Sequence, residues 1–179
     1  MQILRSGKIT AVLLIGLSLA VSSSIATESL PAKNTKKTLW HGYERSRFTV
    51  DGRACYLVVP KHPAHGRPWV WRARFPDYHP EIDIALLGKG FHIAYLDVAG
   101  MFGSPTAVEH GNKFYKRVTE QYGLSKKPAL EGVSRGGLFV YNWAAANPDK
   151  VACIYADTPV MDFKSWPGGK GKGLGSPQG

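Results

Sequence analysis

Apolar residues change their period several times along this chain, and each change marks an element. Residues 47–60 (RFTVDGRACYLVVP) form two short β-like runs around Asp51-Gly52, a dipeptide suited to a tight hairpin. The stretch 69–75 (WVWRARF) is rich in β-formers and apolar enough for an inner strand. After the turn-like DYHPE, Ile82, Leu86 and Leu87 recur at helical spacing, with Gly88 or Gly90 as a stop. FHIAYLDV is another apolar strand and ends at Asp97. Residues 104–123 predict a helix with Ser104 as N-cap, Pro105 at the first helical position and Gly123 as the stop. PALEGVS reads as a short buried strand, GGLFVYNWAAA as an apolar helix closed by Asn147-Pro148, and VACIYADTPV as a strand again.

Strands alternating with helices predict an α/β fold, with a mostly parallel, doubly wound sheet covered by helices on both faces and a β-hairpin at its N-terminal side. One domain over residues 38–166 accounts for all of these elements. Residues 69–75 alternate aromatics with Arg, which predicts a core face opposite a polar one rather than a platform for sugars or bases.

The two ends differ from this middle. MQILRSGK carries Arg5 and Lys8 and no acid, an apolar run follows, and Ser24 and Ala26 are small: the layout of a secretory signal peptide over residues 1–26, cleaved after Ala26. The protein is then expected to be exported, to periplasm or medium, with no membrane association after cleavage. Residues 27–37 read as a flexible leader and 167–179, rich in Gly and Lys, as a flexible tail. Gly171-Lys172-Gly173 lacks the Ser/Thr and the preceding strand of a phosphate-binding loop, and no cofactor is expected.

The formal charge of +10 falls to +8 once Arg5 and Lys8 leave with the signal. The basic residues are scattered in pairs such as Lys36-Lys37 and Lys126-Lys127, which does not predict a nucleic-acid partner. The two cysteines, Cys55 and Cys153, fall on strands expected to be distant, so two buried free thiols are predicted. His62 and His65 are closely spaced, but no third ligand stands near them, and no metal site is expected.

The candidate chemistry lies at Gly132-Val133-Ser134-Arg135-Gly136. A buried strand runs into Ser134 and an apolar helix runs out of it. A sharp strand-to-helix turn lifts a Ser hydroxyl above the sheet edge and needs glycines where a Cβ would clash. Together with the order of elements, this motif resembles the α/β-hydrolase superfamily, most closely its esterases and prolyl-oligopeptidase-like members. Asp97 to Pro105 (DVAGMFGSP) is similar to the Asp-x-Arg-Gly-x-Gly-x-Ser loop of many relatives, with Ala99 in the Arg place and one more residue between the glycines. The resemblance covers residues 48–163 and six of the usual eight strands.

The resemblance implies an ester or peptide bond as substrate, in a small-molecule or polymer-linked acyl compound. Ser134 would be the nucleophile, forming an acyl-enzyme. The backbone amide of Arg135 would be one oxyanion donor, and the amide of Ala73 or its neighbour Arg74 the second. The Arg135 side chain would either attract an anionic substrate or stand in solvent. The superfamily order places the acid and then the His after the Ser. All six His precede Ser134, and Asp157 or Asp162 is the available acid, with Asp157 also readable as a strand-end residue bonded to nearby amides. The expectation is therefore a chain that stops before the rest of its triad and is impaired as a catalyst. The alternative is a non-catalytic secreted protein that binds a polysaccharide or acidic glycan. Oligomeric state is not set by the sequence.

Overall fold

The computed structural model describes residues 35–170. The predicted signal peptide and most of the leader and tail lie outside the described residues. The chain runs β1 (Lys36–Trp40), β2 (Tyr43–Val50), β3 (Arg53–Val59), β4 (Trp69–Arg72), α1 (Glu81–Gly88), β5 (His92–Leu96), α2 (Pro105–Gln121), β6 (Ala129–Val133), α3 (Gly136–Ala146), a 3₁₀ turn (Pro148–Lys150) and β7 (Cys153–Asp157). One seven-stranded sheet holds them in the order β1-β2-β3-β5-β4-β6-β7.

The β2–β3 hairpin turns where the sequence predicts. Asp51 and Gly52 both have positive φ, 51° and 74°, as a two-residue turn matched to strand twist requires. Helix α2 starts with Ser104, whose hydroxyl accepts the Ala107 amide at 3.3 Å, and Pro105 occupies its first turn. Gly123 follows its C-cap with φ 63°.

The N-terminal edge of the sheet departs from the sequence expectation. Lys36 and Lys37, read as leader, belong to β1, which pairs antiparallel with β2 from Lys36↔Arg47 to Trp40↔Tyr43. The strand was hidden because KKTLW buries only Trp40 and leaves Lys36, Lys37 and Leu39 exposed. The α/β sheet is mixed. β5, β4, β6 and β7 are parallel, whereas β1, β2 and β3 join antiparallel and β3 meets β5 antiparallel.

Period-two alternation divides the core between the sheet's faces. Leu57, Trp69, Trp71, Leu96 and Leu130 point to the side of α2 and α3, where Phe114, Phe139 and Trp143 pack against them. Val58, Val70 and Ile93 point to the α1 side, with Leu87 and Trp40. Arg72 follows Val70 on that second face and is 1% exposed. The Arg of this strand thus stands on a covered face, not a polar one.

Cys55 is buried and free, and burial raises its thiol to about 12. Cys153 is free but exposed, contrary to expectation, because β7 ends the sheet and its residues are covered only in part. A thiol reagent should modify one cysteine in the native protein, Cys153, and two after unfolding; two fast native thiols would contradict this packing. Phe114→Ala removes a fully buried ring between Phe48, Trp69 and Trp71. It should lower the unfolding free energy by about 3–5 kcal/mol in urea titrations.

Candidate active site

β6 delivers the chain to Ser134 and α3 carries it away two residues later. The turn has room for this only because of its glycines. A Cβ on Gly132 would lie 2.6 Å from Val140 Cγ2, one on Gly136 3.0 Å from Arg74 Cβ, and one on Gly137 2.5 Å from the Val160 carbonyl oxygen. Ser134 itself has φ 50°, a left-handed conformation that costs a non-glycine residue on the order of 1–3 kcal/mol. The surroundings enforce it. The Ser134 amide donates to the Asp157 carbonyl at 2.9 Å, and its carbonyl accepts from Gly137 at 3.0 Å and Val160 at 2.9 Å. Ser134 Oγ has no hydrogen-bond partner among the described residues, so it projects as an uncommitted hydroxyl.

The Arg135 amide, at the N-terminus of α3, also has no acceptor among the described residues. The second expected donor needs a correction. The Ala73 amide donates to the Glu131 carbonyl at 3.0 Å, extending the β4–β6 ladder, and is not free for an oxyanion. The next amide, Arg74, has no acceptor among the described residues, and its nitrogen lies 3.7 Å from the Cβ position of Gly136. A strand exposes alternate amides to alternate sides, so a shift of one residue exchanges a ladder amide for a free one.

Ser134 opens into a cavity of about 460 Å³ whose wall includes Tyr78, His79, Glu131, Tyr155 and Asp157. Asp157 caps β7. Its carbonyl holds the Ser134 amide, while its carboxylate has no hydrogen bond or ion pair among the described residues. Asp162 instead turns back on its own loop, where Oδ1 accepts the Lys164 amide at 2.9 Å. The Asp97–Pro105 loop docks on α3: Asn142 Nδ2 donates to the Gly103 carbonyl at 2.9 Å, and a Cβ on Gly103 would lie 2.3 Å from the Leu138 carbonyl oxygen. The Arg135 and Arg74 guanidiniums both lie over Phe75, 5.4 and 5.2 Å from its ring centre.

The histidines are dispersed. His92 is fully buried beside the Pro68 carbonyl, and burial lowers it to about 4, so its ring is neutral at pH 7. His110 sits 2.9 Å from Asp51 at the hairpin. His79 is the histidine on the Ser134 cavity wall, with Nδ1 3.8 Å from Glu81 and its side chain 70% exposed. No group of three or more potential metal ligands occurs among the described residues.

Sequence reasoning missed the charged cluster beneath this cavity. Arg72 Nη1 lies 2.8 Å from Asp83 Oδ2 and 3.0 Å from Glu131 Oε1, all buried. Asp83 and Glu131 thus share one cation, and burial raises both carboxyl groups above their ordinary range. Asp83 Oδ1 and Glu131 Oε2 are buried with no hydrogen-bond partner among the described residues. Burial first, then the charge of Asp83, raises Glu131 to about 7. The native state therefore binds a proton that the unfolded chain releases between the ordinary carboxylate range and about pH 7. Stability contributed by this site falls as pH rises through that window and is level above it. The stability difference between wild type and Glu131→Gln, read from urea midpoints, should shift in favour of the variant from about pH 5 to about pH 8; a difference constant with pH would contradict the assignment.

No family profile matches the sequence, and no curated protein is similar to it by sequence. Solved structures are similar to it in fold. A cold-adapted esterase from an Arctic intertidal metagenomic library superposes with a TM-score of 0.57 at 12% identity, over 69% of this chain and 63% of that one. The Pyrococcus furiosus esterase Pf2001 gives 0.52 at 15% identity, over 69% of this chain and 53% of that one. An acetyl xylan esterase from Aspergillus awamori gives 0.50 at 17% identity, over 62% and 50%. The chain thus spans less than two thirds of the length of each. Sheet order and these superpositions agree: the chain has an α/β-hydrolase fold.

Proposed function

We propose that this chain carries the nucleophile and oxyanion side of an exported serine hydrolase acting on an ester bond of a small or polymer-linked acyl compound. The observation that carries the reading is the conjunction at Ser134. A non-glycine residue is held at positive φ with its hydroxyl uncommitted, and the amides of Arg135 and Arg74 beside it are free of acceptors among the described residues. Strain enforced from both sides and unspent donors are costly for a structural turn and useful for acyl transfer. The esterase folds to which the chain is similar support the ester over the peptide bond.

In this mechanism Ser134 Oγ attacks the acyl carbon, and the carbonyl oxygen takes up negative charge between the two amides. The positive end of the α3 dipole favours that charge. The Oγ proton needs a base, and no described histidine hydrogen-bonds Ser134. We place Asp157, on the cavity wall, as the candidate acid; the described residues alone are then expected to react slowly, as Ser nucleophiles without their His do. Export rests on residues 1–26.

A fluorophosphonate probe tests the reading, since it reports nucleophile and oxyanion site without needing turnover. Wild type should label at Ser134 in peptide maps, at least tenfold faster than Ser134→Ala. Equal labelling of the two proteins would overturn the assignment.

A further inference from the structure

Arg72 ends an apolar strand and is almost wholly buried, so its cost needs a reason beyond ion pairing. A buried ion pair is often no better than an apolar replacement of similar volume. The part an apolar residue does not reproduce is the rest of the guanidinium fork. Arg72 Nε donates to the Phe75 carbonyl at 3.1 Å and Nη2 to the Tyr78 carbonyl, while Nη1 meets Asp83 and Glu131. Both carbonyls belong to the segment between β4 and α1.

That segment is unusual in its backbone. Phe75, Asp77 and His79 have φ of 53°, 69° and 47°, and none is glycine. Such strain persists only where surrounding groups over-determine it. Asp77 is held from the other side, accepting from Trp40 Nε1 and pairing with Arg45 at 3.5 Å. Arg74, whose amide faces the elbow, lies between Arg72 and the first clamped carbonyl. Glu131, one of the two counter-charges, stands three residues before Ser134 on β6, and Asp83 is on α1. One guanidinium therefore ties the segment bearing the Arg74 amide to the strand bearing Ser134.

We infer that Arg72 is a positioning residue that clamps residues 73–80 so that the Arg74 amide is presented at Ser134, with Asp83 and Glu131 as the anchors of the clamp. The inference rests on the serine-hydrolase reading above. Arg72→Lys tests it, because an ammonium keeps the charge but has no planar fork to span two acids and two carbonyls. Hydrogen exchange by mass spectrometry then reads the segment directly. In Arg72→Lys the Tyr78 amide, bonded to the Phe75 carbonyl at 3.2 Å and so the protected amide of 74–79, should exchange at least tenfold faster, while those of β5 and β6 keep wild-type protection. Fluorophosphonate labelling of Ser134 should slow at least tenfold in its maximal rate, with the half-saturating probe concentration unchanged. Glu131→Gln, which keeps shape and an acceptor, should show both effects more weakly and serves if Arg72→Lys does not fold.

Unchanged exchange in 74–79 overturns the clamp. Exchange that rises equally in 74–79 and in β5 and β6 also overturns it, since the cluster would then serve only general stability. Faster exchange with unaltered labelling breaks the link to Ser134. If wild type labels no faster than Ser134→Ala, the hydrolase reading fails, and exchange alone decides whether Arg72 holds the segment.

Discussion

The site depends on how closely the backbone of α3 approaches β6 and its neighbours. At Gly132, Gly136 and Gly137 there is no room for a Cβ, and the opposing atoms include backbone of the Val160 segment and the start of the segment after β4. Because the helix sits this close, one residue alone must reverse the chain, and Ser134 takes the left-handed conformation that does so. Its amide and carbonyl are both consumed in holding that turn. What remains to Ser134 is a side chain with no internal role, at the carboxyl ends of parallel strands, where ligands meet sheets of this kind.

The sheet separates two kinds of interior. On the side of α2 and α3, Trp69, Trp71, Trp143, Phe114 and Phe139 form one aromatic mass, and the forces are those of apolar burial and ring geometry. On the α1 side the apolar layer is thinner, and at the strand ends it gives way to Arg72, Asp83 and Glu131. The first interior holds the strands at fixed spacing. The second fixes the direction of a short strained segment, which apolar packing, being non-directional, does poorly.

Local signals were legible wherever a short stretch decides its own conformation. Asp51-Gly52, Ser104-Pro105 with Gly123, and the glycines around Ser134 each specified a turn or cap that the structure contains. Features set by partners far away in sequence were not legible. β1 exists because β2 lies beside it, and its own residues are mostly polar and exposed. The antiparallel meeting of β3 with β5 depends on a register between strands more than thirty residues apart. Arg72, Asp83 and Glu131 each look ordinary alone: an Arg ending a strand, an acid in a first helical turn, an acid before a glycine. Only the fold brings them together. In the segment after β4 the sequence could not fix which amide the sheet would consume, and Ala73 rather than Arg74 joins the ladder.

Of the five tryptophans, four are divided unequally between these interiors, and Trp166 packs on Phe102 in the segment after β7. Trp69, Trp71 and Trp143 lie within one group of touching rings, where excitation passes readily from one indole to the next and their emission behaves as a single signal. Trp40 sits across the sheet with its indole N–H on Asp77, the middle of the three strained residues. Bulk intrinsic fluorescence therefore reports the aromatic half of the molecule and is nearly blind to the charged half. Replacing the aromatic-side indoles and Trp166 would silence the other voices and leave Trp40 as a built-in optical gauge of the segment beside Ser134.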